Sequence, residues 1–483
     1  MSSIKSEIKK GVFWTAVAKY SGLAISLVVT AILARNISPS AFGTMAIAGV
    51  ITAFLELFVN MGFGTAIVQF KNLTERQINS LFLVGGLLGI TLSAILFFSA
   101  SLIAEYYHDN DLTIICRLLC LCMLFNALNV VPNGLMMKHK RFKTVAIRTL
   151  SFQILSGIAS VWGALNGWGI YALIISPIIT AVGVFCFNFY NYPQRFFINM
   201  DWSAIRTVWS YSSFQFLSYF SNYFSRNLDK LIIGKYFSMA QLGYYEKSYR
   251  LMQLPLQNIT FVISPVLHPI LSSLQDQKQE LGAKNLKLTK FLSELSFPIG
   301  IALYFCAYEV VMILFGKDWA ASVPVFQILA LSLPLQMILS TSGAIYQAAG
   351  KTNHMFYVGL CNTIVTVLGF LIAAIWFKTI EAMAWAWNIT LLINFIDSYM
   401  VMNCRTLGFP AIKFFQSLIP QIINSTITTA TAYFIIKLLP VENVFLSLLF
   451  KCAVIAVLTL AMGTMLKQYN PSRIVRHMTA RMV

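Results

Sequence analysis

Five ionisable side chains, Lys19, Glu56, Arg226, Arg250 and Asp397, lie two or more helical turns inside long apolar runs. A bare charge at the centre of such a run costs roughly 2.5 to 3.5 kcal/mol on an insertion scale, so each is kept for pairing or for function. Two readings stand for the cations. They bind something that enters the membrane, or they are neutralised locally, Arg226 by Asp229 at i+3 and Lys19 by Glu56 across the first hairpin. The acids Glu56 and Asp397 carry a coupling ion or a proton, or they are buried partners of a nearby cation. Lys230, Glu246, Lys247, Arg117, Arg148 and Glu309 sit closer to the ends of runs, where long side chains snorkel; for Arg117, Lys230 and Lys247 the alternative is the rim of a cavity.

Covalent chemistry has little to stand on. GxxxxGK[ST], HExxH and GxSxG are all absent, and the five histidines are scattered, mostly near loops. None of the eight cysteines forms a CxxC pair, and they read as small packing residues. No ATP hydrolysis by a phosphate loop, no metal centre and no cofactor are expected.

The elements that must position these charges are membrane helices. Of 483 residues, 58% are hydrophobic and only 11% charged, which is not a water-soluble composition. A net charge of +18 would suggest nucleic acid in a soluble protein. Here the basic residues fall mostly in short loops, so a membrane reading replaces that one and no nucleic-acid partner is expected. Apolar runs of about 20 residues place spans near 11–34, 43–69, 81–103, 113–136, 146–166, 168–190 and 209–234, then 242–268, 291–315, 323–349, 355–377, 383–403, 414–437 and 444–466. The first run is too long for a signal peptide and is a retained span. Alternate connections hold few cations: Arg35, Lys235, Lys317, Lys378 and Lys437 are those of one side. The other side, which includes both termini, is strongly basic and is therefore cytoplasmic.

An internal repeat organises the spans. Arg35–Gly43 (RNISPSAFG) matches Lys235–Gly243 (KYFSMAQLG) at an offset of 200 without a gap, aligning Ser38 with Ser238 and Gly43 with Gly243. Six spans is an even number, so the repeat is parallel and its axis runs along the membrane normal. The fold expected is all-α and integral to the membrane: fourteen transmembrane helices, two six-helix lobes at 1–195 and 196–404 related by a pseudo-twofold, and spans 13 and 14 with a basic tail at 405–483. Polar stripes recur in corresponding hairpins: Thr15, Lys19 and Gly22 in span 1; Thr52, Glu56 and Asn60 in span 2; Asn222, Arg226 and Asp229 in span 7; Glu246, Arg250 and Gln253 in span 8. They suggest one shared cavity between the halves near the midplane. Tyr219, Tyr223, Tyr236, Tyr244, Tyr245 and Tyr249 cluster around the second hairpin, as interfacial anchors or as platforms for a sugar ring.

The segments RNISPSAFG, GFGTAIVQFKNLTERQINSLF and RNLDKLIIGKYFSMAQLGYYEKSYRLMQLP resemble the polysaccharide-transporter branch of the multidrug/oligosaccharidyl-lipid/polysaccharide exporter superfamily. That branch contains bacterial inner-membrane flippases for undecaprenyl-pyrophosphate-linked O-antigen, capsule or exopolysaccharide repeats. The resemblance covers about residues 5–470 and implies two six-helix lobes around a basic cavity that opens alternately to each side. It implies that Arg226, Asp229 and Lys230 fall in the family's Arg/Asp motif of span 7, that Tyr249 and Arg250 open span 8, and that Lys19 is a cavity cation of span 1. Arg117 and Asn222 join them as candidate cavity residues, with Glu56, Asp229 and Asp397 as candidates for a coupling ion or ion pair. An anionic pyrophosphate gives guanidinium groups at depth a physical purpose, since they pair with phosphate oxygens bidentately. Implied partners are the lipid-linked oligosaccharide, membrane lipids, and the polymerase and glycosyltransferase of the same pathway.

The alternative is a cation-coupled multidrug antiporter of the same superfamily, which needs an acidic pocket. Three deep cations against two acids favour the flippase. A membrane-embedded polymerase or glycosyltransferase would want a sizeable soluble loop, and the longest connection has only about 20 residues.

Overall fold

A bilayer offers backbone N–H and C=O groups no water to bond, so a chain this apolar has to satisfy them within helices or a closed barrel. The computed structural model describes residues 2–60, 63–70, 73–195, 223, 226–272, 274, 275 and 277–465, and among them there are helices and no strand. The chain divides into two compact units, Met1–Gly243 and Tyr244–Val483.

The first unit holds α1 (Ser2–Asn36), α2 (Pro39–Asn60), α3 (Phe63–Gln69), α4 (Glu75–Tyr107), α5 (Asp111–Lys138), α6 (Phe142–Leu165) and α7 (Tyr171–Asn191). A helix over 226–236 (α8) and the first turn of α9 (Met239–Ser272) complete it. The second unit continues with α9, then α10 (Lys278–Phe305), α11 (Ala307–Leu314), α12 (Ser322–Ala330), α13 (Leu333–Leu339), α14 (Ser342–Ala348), α15 (Thr352–Ile372), α16 (Ile380–Met400), α17 (Ala411–Gln416), α18 (Ile419–Leu438) and α19 (Val444–Met465). Both α15 and α16 end in π-helical turns, Ala373–Phe377 and Val401–Leu407.

Among the described residues, eight helices are long and apolar enough to cross a membrane, or ten if each of two bent pairs is one span. They fall on expected spans 1 to 6, 9 to 11 and 14. The bends are 66° between α10 and α11 and 46° at the start of α13, where Pro334 occupies the first turn. Most of expected span 7 lies outside the described residues. The helix at expected span 8, α9, carries Glu246, Lys247 and Arg250 within two turns, which lowers its apolarity. Expected spans 12 and 13 coincide with α16 and α18.

The sequence repeat has a structural counterpart. Ser38 Oγ accepts the Ala41 N–H at the start of α2 (3.4 Å), and Ser238 Oγ accepts the Gln241 N–H at the start of α9 (3.3 Å). Both serines therefore satisfy a donor that the first helical turn leaves without a partner. Small residues let helices approach: Gln153 Nε2 on α6 donates to the Gly22 carbonyl of α1 at 2.7 Å, and a Cβ on Gly89 of α4 would stand 2.5 Å from Ala127 Cβ of α5.

Three residues expected to snorkel are instead buried: Arg148 (7% exposed), Lys247 (5%) and Glu309 (3%). Arg148 is held among neutral acceptors, Asn188 Oδ1 at 2.5 Å and Asn133 Oδ1 at 3.3 Å, which join α5, α6 and α7. Glu309 Oε1 meets Lys451 Nζ of α19 at 2.5 Å and Ser447 Oγ at 2.8 Å. Partners inside the bundle replace water for these groups, which distance from a span end could not reveal. All eight cysteines are free.

Candidate binding and coupling sites

A polar cavity of about 370 Å³ lies within the first unit, between α2, α5 and α7. Gly49, Thr52 and Glu56 recur every three or four residues and so share one face of α2. Cys122 and Asn126 do the same on α5, and Ser176 and Thr180 on α7; all of these line the cavity. Glu56 Oε1 accepts the Asn126 side-chain N–H at 2.7 Å. That is its partner among the described residues, so the Lys19–Glu56 pair is not formed. The hydroxyl protons are engaged elsewhere: Thr52 donates to the Ala48 carbonyl (2.8 Å), while Ser176 and Thr180 donate to Ser156 Oγ of α6 (3.1 and 3.2 Å). Pro177 inside α7 has no N–H, which leaves the Leu173 carbonyl without its helical donor. What this cavity offers is mostly oxygen lone pairs around a carboxylate, an arrangement suited to a proton or a cation. Among the described residues no group of three or more His, Cys, Asp or Glu side chains could hold a metal ion.

The cations are spread over several elements. Lys19 is exposed on α1, and Arg117 is exposed on α5 with its guanidinium 5.0 Å from the Phe97 ring centroid. On α8, Arg226 is exposed, Lys230 is half-buried and Asp229 is buried, with its Oδ1 accepting the Lys230 backbone N–H at 2.8 Å. In the second unit, Arg250 is exposed on α9 beside buried Lys247. Asn222 and Tyr219 lie outside the described residues.

Most tyrosines of the cluster are committed to packing. Tyr249 stacks on Tyr245 (6.2 Å, 13°) and meets the edge of Trp387 (5.6 Å, 83°). Tyr244 packs on Trp319 (5.8 Å), and the Tyr223 hydroxyl donates to the Val50 carbonyl. Tyr236 is the exposed one among the described members, at 56%.

Asp397 is half-buried on α16, and its carboxylate makes no hydrogen bond or ion pair among the described residues. Next to it runs a polar seam between α15 and α16, in which Asn362 Nδ2 donates to Ser398 Oγ and Asn394 Nδ2 to Thr366 Oγ1, both at 3.0 Å. Neither this seam nor the Asn126, Ser176 and Thr180 lining entered the sequence reading. Their signal is a pair of polar residues four apart on neighbouring spans, 362/366 with 394/398 and 176/180 beside a proline.

Residues 32–324 match the profile of a family described as "Polysaccharide biosynthesis protein". The chain is 25% identical over 399 residues to the teichuronic acid biosynthesis protein TuaB of Bacillus subtilis, covering 82% of each chain. It is 23% identical over 385 residues to the succinoglycan biosynthesis transport protein ExoT of Rhizobium meliloti, covering 78% of this chain and 76% of that one. Its fold is that of the lipid II flippase MurJ in an inward closed conformation, with a TM-score of 0.76 over 95% of this chain and 99% of the other at 15% identity.

Proposed function

Because the chain belongs to the polysaccharide biosynthesis protein family, we propose that it is a flippase that moves an undecaprenyl-pyrophosphate-linked oligosaccharide from the cytoplasmic to the periplasmic leaflet. It is a multi-pass protein of the bacterial inner membrane, and the proposal gives it fourteen spans with both termini cytoplasmic. Family membership carries the reading; the transport role named for ExoT and the lipid-flippase fold support it.

In the proposed cycle the head group is captured from the cytoplasmic side by Lys19, Arg226 and Arg250, with Lys230, Arg117 and Asn222 around it, while Tyr249, buried against Tyr245 and Trp387, supports Arg250 from within α9. The halves rock about the midplane, and the head group leaves outward while the polyprenyl tail stays in lipid. Arg226 and Arg250 are exposed, which leaves their guanidinium groups within reach of pyrophosphate oxygens. The side chains bind and orient; no bond is made or broken. Enzymes of the same pathway would supply the lipid-linked unit and polymerise it.

The test is the lipid fraction of a strain lacking the gene. Accumulation of an undecaprenyl-pyrophosphate oligosaccharide on the cytoplasmic face, cured by the wild-type gene, is the expected result. Absence of any such lipid in the mutant would sink the reading. A second reading, a cation-coupled multidrug antiporter, is favoured by the acidic cavity at Glu56, and new sensitivity of the mutant to cationic drugs would point to it.

Glu56 also makes a prediction about coupling. Glu56→Gln retains an oxygen to accept the Asn126 N–H, so the protein should fold and reach the membrane normally. Its gradient-driven transport should fall by roughly tenfold or more, the range of ordinary coupling energies. Measured in vesicles with and without an imposed proton or Na⁺ gradient, an undiminished response would remove Glu56 from coupling and turn attention to Asp229 and Asp397.

A further inference from the structure

Two glycines 200 residues apart touch, and they do so reciprocally. Gly43 is the fifth residue of α2 and Gly243 the fifth of α9. A Cβ on Gly43 would stand 1.8 Å from the carbonyl oxygen of Met239, and a Cβ on Gly243 would stand 2.0 Å from that of Pro39. Pro39 and Met239 are the first residues of the same two helices and are also 200 apart. Each glycine thus presents its Cα–H side to the other helix's first carbonyl, a contact that only a residue without a side chain permits.

Neighbouring contacts tie the same end together, all within the first unit. Lys235 Nζ donates to the Tyr106 carbonyl at 2.7 Å and lies 4.1 Å from the centroid of that ring. A Cβ on Gly234 would stand 2.4 Å from Ile47 Cδ1. Thr44 Oγ1 donates to Asp109 Oδ2 at 2.5 Å, fixing the start of α2 to the turn between α4 and α5. The sequence reading puts the connections bearing Arg35 and Lys235 on the periplasmic side, and the polar cavity residues Gly49, Thr52 and Glu56 follow Gly43 deeper along α2.

We propose that the Gly43–Gly243 crossing is the outer gate of the transport path, closed in this structure. The proposal rests on the alternating-access reading above and assigns the residues that seal its periplasmic end. A side-chain gate opens by rotating a rotamer. This one has no side chain to rotate, so it opens only when the first turns of α2 and α9 move apart, which makes closure all-or-none.

Alanine is the discriminating substitution, because it favours the helix while placing a methyl where the opposing carbonyl sits. The experiment uses the full chain in lipid nanodiscs, with native cysteines replaced and nitroxide labels at Asn36→Cys and Tyr236→Cys, two exposed positions that flank the crossing. Gly43→Ala and Gly243→Ala should each shift the main label-to-label distance to longer values and deplete the short one. The double variant should shift it no further than either single one. Gly359→Ala, on α15 with open space around its Cβ position, should leave the distribution unchanged. An unshifted distance in Gly43→Ala or Gly243→Ala overturns the gate, and so does an equal shift in Gly359→Ala. The readout is geometric and needs no substrate, so it stands or falls separately from the lipid test of the flippase reading.

Discussion

Replacing Arg226 and Arg250 together by Gln should lower translocation of the lipid-linked saccharide by about 100-fold or more at normal protein abundance. A hydrogen bond to a charged group contributes about 1.5 to 3 kcal/mol. Two guanidinium groups lost from one pyrophosphate therefore remove about 3 to 6 kcal/mol, and each 1.4 kcal/mol is a factor of ten. Both side chains are exposed, so their loss should leave folding largely intact, and protein abundance measured beside transport separates a lost substrate contact from a lost contact within the protein. Lys in their place should retain part of the activity, since it keeps the charge and loses the planar fork. Quantifying the accumulated lipid in strains carrying each variant reads both effects. Full transport by the double Gln variant would end the pyrophosphate assignment.

The second large effect is on stability. Lys451→Ala or Glu309→Ala should destabilise the folded protein by about 3 to 5 kcal/mol, the usual cost of leaving one partner of a buried ion pair without the other. Glu309 has no route to water: it is 3% exposed, and its Oε1 is held by Lys451 Nζ at 2.5 Å and Ser447 Oγ at 2.8 Å. Lys451 Nζ also donates to the Phe305 carbonyl at 3.1 Å, beside the bend between α10 and α11. The double variant Glu309→Leu/Lys451→Met should recover most of the loss, because an apolar pair of similar size carries no desolvation cost. Thermal unfolding in detergent, followed as loss of the monodisperse protein, separates these outcomes. A double variant as unstable as the singles would mean that the pair contributes more than mutual neutralisation.

The comparison of sequence and structure divides along physical lines. Apolar run length is a property of one segment at a time, and the runs it marks overlap α1 to α7 and α10 to α19, although α1 begins nine residues and α10 thirteen residues before the expected span. Periodicity within one helix was equally legible: the stripe Gly49, Thr52 and Glu56 does line a cavity. What the sequence withheld is the partner across a helix interface. Lys19 is one partner that the first hairpin offers Glu56, and the structure gives it Asn126, 70 residues away. Glu309 and Lys451 are 142 residues apart, and no local pattern links them. The aromatic cluster shows the same limit. Tyrosine spacing says which rings share a face, but not that Tyr245 and Tyr249 stack on one another.

The crossing of α2 and α9 has a consequence for suppressor genetics. At most crowded glycines of this protein the obstacle is a side chain: Phe152 for Gly183, Val29 for Gly157, Thr390 for Gly369. A defect caused by a larger residue there can be repaired by trimming the neighbour. At Gly43 and Gly243 the obstacle is a backbone carbonyl, and no codon change at Met239 or Pro39 removes it. Second-site revertants of Gly43→Ala should therefore be missing at the residues it touches and should arise where a whole helix can be displaced.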